Sequence, residues 1–461
     1  MRLRGGSTRP DVAGAEQAPD PATFAAMEGA PERPDPGPAS APSRARLRRL
    51  VRRIAVDVAP LRVSRDFRLL WTGLLISEAG YQFTLVATFV QVTQLTGSPA
   101  AVGAVGLVGL AGLVVGTVVG GTFIDRYDRR TILVWSQVAF MVATAALLAG
   151  ALMERPPLAL IYGAVALIAT VAAVDGPTRS AMTPRLVGRA LLPAALVLNQ
   201  VIWNGTGLVG PALAGIVIDR LGLAWAYGVD LVTYVAMLAA AARIRPIPPE
   251  PGTEARSGWE AVREGFRYLR GRRVLQATFL IDVVAMVFGM PRALFPILAD
   301  VQFHRGPAVV GLLFSAPAVG ALLGALTAGW VGKVRHQGRA VVWAVAVWGA
   351  GITAFGLVGE NLWLGLAFLA LAGAADVISA VFRGTILQLT VPDVLRGRLS
   401  AINILVVTGG PRLGDLEAGL VAAAFTPQVS VVSGGILCVV GAFALARLVP
   451  AFWRYHAGEP A

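Results

Sequence analysis

Twelve apolar stretches, joined by short charged links, leave this 461-residue chain few ways to fold. A helical span needs about 20 residues to cross some 30 Å of hydrocarbon. Runs of that kind lie near 69–95, 99–124, 131–152, 157–177, 190–218 and 223–243, and resume near 274–301, 306–332, 340–358, 362–386, 399–424 and 428–449. The grouping is six and six. Hydrophobic residues make up 56% of the chain and charged ones 15%, with a mean hydropathy of +0.66. A water-soluble globule of this size could not hide so much apolar surface. The expected fold class is an all-α membrane protein: twelve transmembrane helices in two pseudo-symmetric six-helix bundles.

Three histidines and one cysteine, Cys438, exclude a disulfide scaffold, a zinc cluster and most histidine-based catalysis. His304, His336 and His456 all fall in links or the tail, and no glycine-rich loop ends in Lys-Ser or Lys-Thr, which argues against ATP as energy source. No enzyme activity, catalytic residue, metal or cofactor is therefore expected.

The domain boundaries follow hydropathy. Residues 1–60 read as a disordered tail, since 10–43 is rich in Pro, Ala, Gly, Asp and Glu and has no sustained apolar period. No signal-peptide core occurs in the first thirty residues. A basic run follows (Arg44, Arg46, Arg48, Arg49, Arg52, Arg53) with Leu47, Leu50, Val51 and Ile54 interleaved. It is either an amphipathic helix on anionic headgroups or a charge block retained in the cytoplasm. The bundles span 61–243 and 274–450, and 451–461 is a second tail. The linker 244–273 carries Pro246, Pro248, Pro249 and Pro251, then an amphipathic helix with Trp259, Val262, Phe266 and Leu269 on one face and Arg263, Arg267 and Arg270 opposite.

Arginines set the orientation. Alternate links carry Arg126, Arg129 and Arg130; Arg185 and Arg189; Arg256 through Arg273; Lys333, Arg335 and Arg339; and Arg396 and Arg398. The opposite links hold only Arg155, Arg220 and Arg305. By the positive-inside rule both termini are cytoplasmic and the chain sits in the cytoplasmic membrane. The net charge of +13 is then topological and implies no nucleic-acid partner. The expected partners are the lipid bilayer, a small-molecule substrate and protons, with the chain acting as a monomer.

The halves repeat. Gly121 and Gly329 stand 208 residues apart, as do Pro184 and Pro392, within the similar links Thr183–Arg189 and Val391–Arg398. Six-span repeats are how many secondary transporters rock one half against the other around a central site.

Two motifs bear on mechanism. In Gly120–Arg130, Gly121 allows a neighbouring helix to approach, and Asp125 at the end of the span can pair with an arginine or a helix N-terminus across the halves. Gly121, Asp125, Arg126, Arg129 and Arg130 resemble the G-x-x-x-D-R-x-G-R-R signature of the major facilitator superfamily, with Asp128 where that family has glycine. The resemblance implies a gate made and broken at this link. A second copy, Gly329–Arg335, keeps the glycine but lacks the acid and should gate more weakly. Gly210-Pro211-x-x-Ala214-Gly215 is similar to the superfamily's exporter-associated pattern, although close helix packing alone would also use these residues.

Charges inside the spans complete the picture. Each costs about 2.5–3.5 kcal/mol at a span centre, so several together imply a polar crevice. Glu78 lies near mid-depth in the first span and Asp282 similarly in the seventh, followed by Arg292; Asp376 and Arg383 occupy the tenth; Arg412, Asp415 and Glu417 the eleventh. Asp175 and Arg179 sit at the end of the fourth, where Arg179 can line a pathway. A carboxyl group that is dry in one state and wet in another can take up and lose a proton, and the candidates in order are Glu78, Asp415 and Asp282. Arg412 and Asp415, three apart, share a helix face and could instead form a fixed ion pair, while Glu417 points elsewhere. Trp71, Tyr81, Phe83, Trp203, Phe279, Phe288 and Phe295 are available either to stack on a ligand or to pack the bundles.

Over about 65–450 the chain resembles the major facilitator superfamily. Pro291–Asp300, Val310–Phe314, Gly320–Gly329, Gly397–Ser400 and Gly414-Asp415 are similar to bacterial enterobactin exporters. That resemblance implies a proton-driven exporter of a siderophore-like molecule. The alternative is a broad, macrolide-type multidrug efflux pump of the same architecture.

Overall fold

The computed structural model describes residues 57–249 and 258–456, apart from the side chains of 121–125, 258–262, 393–394, 396–398 and 401. The N-terminal basic run, linker residues 250–257 and the last five residues lie outside the described part, as do the side chains of Gly121 and Asp125. All regular structure among the described residues is helical.

Twelve helices are labelled α1 to α12. In the first half these are α1 (Arg65–Thr96), α2 (Pro99–Arg126), α3 (Arg129–Leu152), then α4 and α5, which are the arms 158–187 and 189–221 of Leu158–Leu221, and α6 (Leu223–Arg243). The linker helix Gly258–Leu269 follows. The second half has α7 (Arg273–Phe288), α8 (Pro307–Thr327), α9 (Gln337–Leu357), α10 (Leu362–Thr390), α11 (Asp393–Ala424) and α12 (Pro427–Leu448).

Side-chain caps fix several of the starts. Ser64 accepts from the Phe67 amide, Asn361 from Leu364 and Thr426 from Val429, each satisfying a donor that the first helical turn leaves free. Gly97 ends α1 in the left-handed region (φ 59°), where its amide still reaches the Thr93 carbonyl.

Ten helices among the described residues are long and apolar enough to cross a membrane. One of them, Leu158–Leu221, has 64 residues, or about 96 Å of helix, and so supplies two crossings. The twelfth span, α11, is left out of that ten, and it carries Arg412, Asp415 and Glu417. Of these, Asp415 is buried and Arg412 and Glu417 are half-buried. Trp363, Leu326, Val232 and Leu448 are at least 70% exposed, a surface suited to lipid rather than to water.

Two spans depart from their expected shape. Pro184 was expected in a link, but it lies inside a helix that continues to residue 187, and a single residue, Gly188 (φ 72°, ψ 171°), makes the break. An L side chain is strained at that φ, and glycine is not. Asp175 and Arg179 consequently lie inside α4 rather than at its end. The seventh span is interrupted: α7 stops at Phe288, Pro291 can neither donate a hydrogen bond nor leave Met290 in a comfortable helical conformation, and the chain resumes as a short turn, Arg292–Leu294, and a helix, Phe295–Val301. Gly289 lends its carbonyl to the Trp348 indole at 2.8 Å across this break.

The internal repeat is physical. Gly112 and Gly116 of α2 back onto Ala166 and Thr170 of α4; Gly320 and Gly324 of α8, each 208 residues later, back onto Ala370 and Ala374 of α10. A Cβ at any of the four would collide with its partner's backbone or side chain.

Candidate functional site

Three charge clusters lie inside the spans. In the first half, Arg179 of α4 stands 3.1 Å from Glu78 of α1 and 2.8 Å from Asp175, one turn back on its own helix. Gln137 of α3 donates to Asp175 at 3.4 Å. In the second half, Arg383 of α10 stands 2.9 Å from Asp282 of α7 and 3.9 Å from Asp376, and donates to Ser379 at 2.8 Å. Glu78 and Asp282 are 204 residues apart, as are Arg179 and Arg383. The two clusters therefore share a plan, one per half: a guanidinium paired with a carboxylate across helices at the equivalent position and with a second one on its own helix, one turn back for Asp175 and two turns back for Asp376.

The third cluster joins the turn that follows α7 to α11. Arg292 reaches the Asp415 carboxylate at 3.0 Å, and the other carboxylate oxygen accepts from the Ala293 amide at 3.2 Å. That amide is available because Pro291 has broken the preceding helix. The alternative of a fixed Arg412–Asp415 pair does not form: Arg412 turns back along its own helix and donates to the Thr408 carbonyl at 2.6 Å, with its side chain against Gly109 of α2. Glu417, half-buried, makes no ion pair within the described residues.

One buried acid escaped the sequence reading. Asp230 of α6 is fully buried and accepts from Thr84 of α1 at 2.5 Å, Thr144 of α3 at 3.5 Å and Thr233 at 3.3 Å. Its side-chain partners among the described residues are all hydroxyls, and Gly80 of α1 leaves the room it occupies. Its signal was available: a lone acid in the middle of an apolar span.

The halves meet at two seams lined by glycine. Gly103 of α2 faces Gly419 of α11, and a Cβ on it would lie 2.9 Å from the Gly419 Cα; Gly215 of α5 faces Gly311 of α8 in the same way, also at 2.9 Å. Gly103 and Gly311 are 208 residues apart, as are Pro211 and Gly419. Pro211 and Gly215 thus belong to a joint between the halves, with the Pro211 carbonyl on Gly311, whereas Gly210 packs on Gln82 of α1 within the first half. Both seams lie near the arginine-poor ends of their helices. There Phe314 of α8 also sits between Phe89 of α1 (5.8 Å between ring centroids) and Phe295 (5.1 Å). Towards the arginine-rich end, the linker helix packs on both α2 and α11, one from each half.

The Gly121–Arg130 link is described in part. Asp128 caps α3, accepting from the Thr131 amide at 3.2 Å with φ −58°, so this turn makes no demand for glycine. Arg130 donates to the Ala242 carbonyl at 2.6 Å and the Arg129 amide to Ile247 at 3.1 Å, both within the first half, while Arg126 is exposed. Among the candidate aromatics, Phe83, Phe279 and Phe295 are buried in the packing, Trp71, Tyr81 and Phe288 are half-buried, and Trp203 is 57% exposed.

The family described as transmembrane secretion effector matches residues 55–454. The enterobactin exporter EntS of Shigella boydii is 28% identical over 401 residues, covering 86% of this chain and 94% of the relative. The same exporter from Escherichia coli O1:K1 is 28% identical over 403 residues with the same coverage. Among solved structures, the nucleoside transporter NupG superposes with a TM-score of 0.65 at 12% identity, covering 83% of this chain and 98% of that one. A bacterial homologue of the iron transporter ferroportin, in an inward-facing state, gives 0.62 at 16% identity, covering 84% and 98%. These two likenesses speak for the fold alone.

Proposed function

The chain belongs to the transmembrane secretion effector family of the major facilitator superfamily, and from that premise we propose that it exports a siderophore-like small molecule across the cytoplasmic membrane in exchange for protons, by alternating access. The observation that carries this reading is the repeated cluster. In each half, two carboxylates share one arginine, so with both ionised one negative charge is left uncompensated in a medium where that is costly. Binding a proton removes the excess, and losing it restores the excess. Glu78 and Asp282 bind their arginines across helices, so a change in protonation there also changes how α1 is held to α4, and α7 to α10. Asp415 ties the broken seventh span to α11 and is the third coupling candidate.

The seams and the Phe89–Phe314–Phe295 stack hold the arginine-poor ends of the halves together. With the arginine-rich face in the cytoplasm, this state loads from inside, and the opposite state would need both seams to part. The relatives named above as enterobactin exporters favour a substrate of that kind.

Everted membrane vesicles containing the full chain test the proposal. Acidifying the vesicle interior should drive uptake of enterobactin, and a protonophore should abolish it. Glu78→Gln, Asp282→Asn and Asp415→Asn should each slow gradient-driven uptake severalfold. Uptake that ignores the gradient and survives all three substitutions overturns the coupling. Gradient-driven uptake of macrolides but not of enterobactin would favour the broad efflux pump.

A further inference from the structure

The charge balance of the third cluster is the reverse of the other two. There, two arginines, Arg292 and Arg412, stand beside one acid, Asp415. Both oxygens of that acid are already engaged, one by the Arg292 guanidinium and the other by the Ala293 amide. Arg412 does not reach it: within the described residues no carboxylate comes within the 4.0 Å of an ion pair with Arg412. Its one hydrogen bond within the described residues goes to its own helix, at Thr408.

An uncompensated arginine at this depth is as costly as a lone acid. Lipid contact does not explain it. Arg412 lies against Gly109 of α2 and within electrostatic reach of Tyr81 on α1 and of Arg292 in the turn after α7, so it stands where the two halves face each other. Gly109 makes the space: a Cβ there would lie 3.1 Å from the Arg412 Nε. Neighbouring Arg292 keeps 28% of its side chain exposed, and its Nε has no hydrogen-bond partner. Two guanidiniums with donors to spare, within electrostatic reach of each other between the halves, form a site for a negative charge that the protein does not itself supply.

We infer that the corner formed by Arg412 and Arg292 recognises an anionic group, such as a carboxylate, sulfonate, phosphate or phenolate, on the transported molecule. The inference rests on the export reading and narrows it: substrates are anions, and cations of similar size are rejected by the same surplus charge.

The test is binding of two fluorescent dyes with flat ring systems, anionic fluorescein and cationic ethidium, to the purified full chain in neutral detergent, read by anisotropy. Wild type should bind fluorescein about tenfold or more tighter than ethidium, as one charge contact predicts. Arg412→Gln should remove most of that preference, Arg412→Lys should retain part of it, and Gly109→Val, which crowds the guanidinium, should weaken fluorescein alone. If Arg412→Gln does not fold, the lysine and Gly109 variants carry the test. Equal binding of the two dyes by wild type, or fluorescein binding indifferent to all three substitutions, overturns the inference. Displacement of fluorescein by added phosphatidylglycerol would assign the corner to a lipid headgroup and overturn it as well. Arg412-dependent anion binding without export in vesicles would instead leave the corner standing and remove the export reading.

Discussion

At the scale of single residues, the shared arginines decide what each charge is worth. Arg383 is 6% exposed and compensates Asp282, itself 2% exposed. Removing a buried partner strands its counter-charge, which costs about 3–5 kcal/mol. Arg383→Gln should therefore lower stability by that order in thermal unfolding of the purified protein, and Arg383→Gln combined with Asp282→Asn should recover most of the loss. If the double variant is no more stable than the single one, the pair is not the stabilising unit. Apart from Asp230, the charged residues themselves were legible in the sequence, because an ionisable side chain in an apolar run is conspicuous. Their partners were less so. Spacing along one helix favoured Arg412 for Asp415, whereas Pro291 breaks another helix and presents Arg292 and the Ala293 amide together. That outcome depends on how α7 and α11 pack, and no local pattern encodes it.

At the scale of elements, the helix ends and the breaks carry the information. Asp128 works as a cap, so its loss should be felt through the capping hydrogen bond alone. Asp128→Ala should cost about 1 kcal/mol, and Asp128→Gly, the residue the superfamily signature has there, only a few tenths, in thermal unfolding of the full chain. A larger penalty for glycine than for alanine would mean that the turn is held by something other than the cap. Span positions could be read from hydropathy to within a few residues. The joining of α4 to α5 could not, since Pro184 and the arginines of Thr183–Arg189 look like a link until the helix is seen to run through them to Gly188. The exporter-like Gly210-Pro211 pattern was visible, but its contact with Gly311 is a property of the assembled halves.

At the scale of the whole molecule, the six-plus-six division and the 208-residue repeat were both readable, because the bilayer imposes one length and the repeat imposes one spacing. Orientation has a direct check. Glu360, in the α9–α10 link, has 80% of its side chain exposed, and Arg335, before α9, is exposed at the opposite end of that helix. The native Cys438 is fully buried. In intact cells, a membrane-impermeant maleimide should label Glu360→Cys and spare Arg335→Cys until the cells are opened. The reverse pattern would invert the topology and, with it, the direction of transport proposed above.

The single-residue break at Gly188 has a mechanical consequence. It couples the helix that carries Arg179 to the helix that carries Gly215, with one swivel and no slack between them. A crank of this kind loses little motion: a tilt of one arm is delivered to the other instead of being absorbed by a floppy connector. Lengthening the joint by a few flexible residues would introduce play, and the inner charge device and the outer joint would then be free to fall out of step.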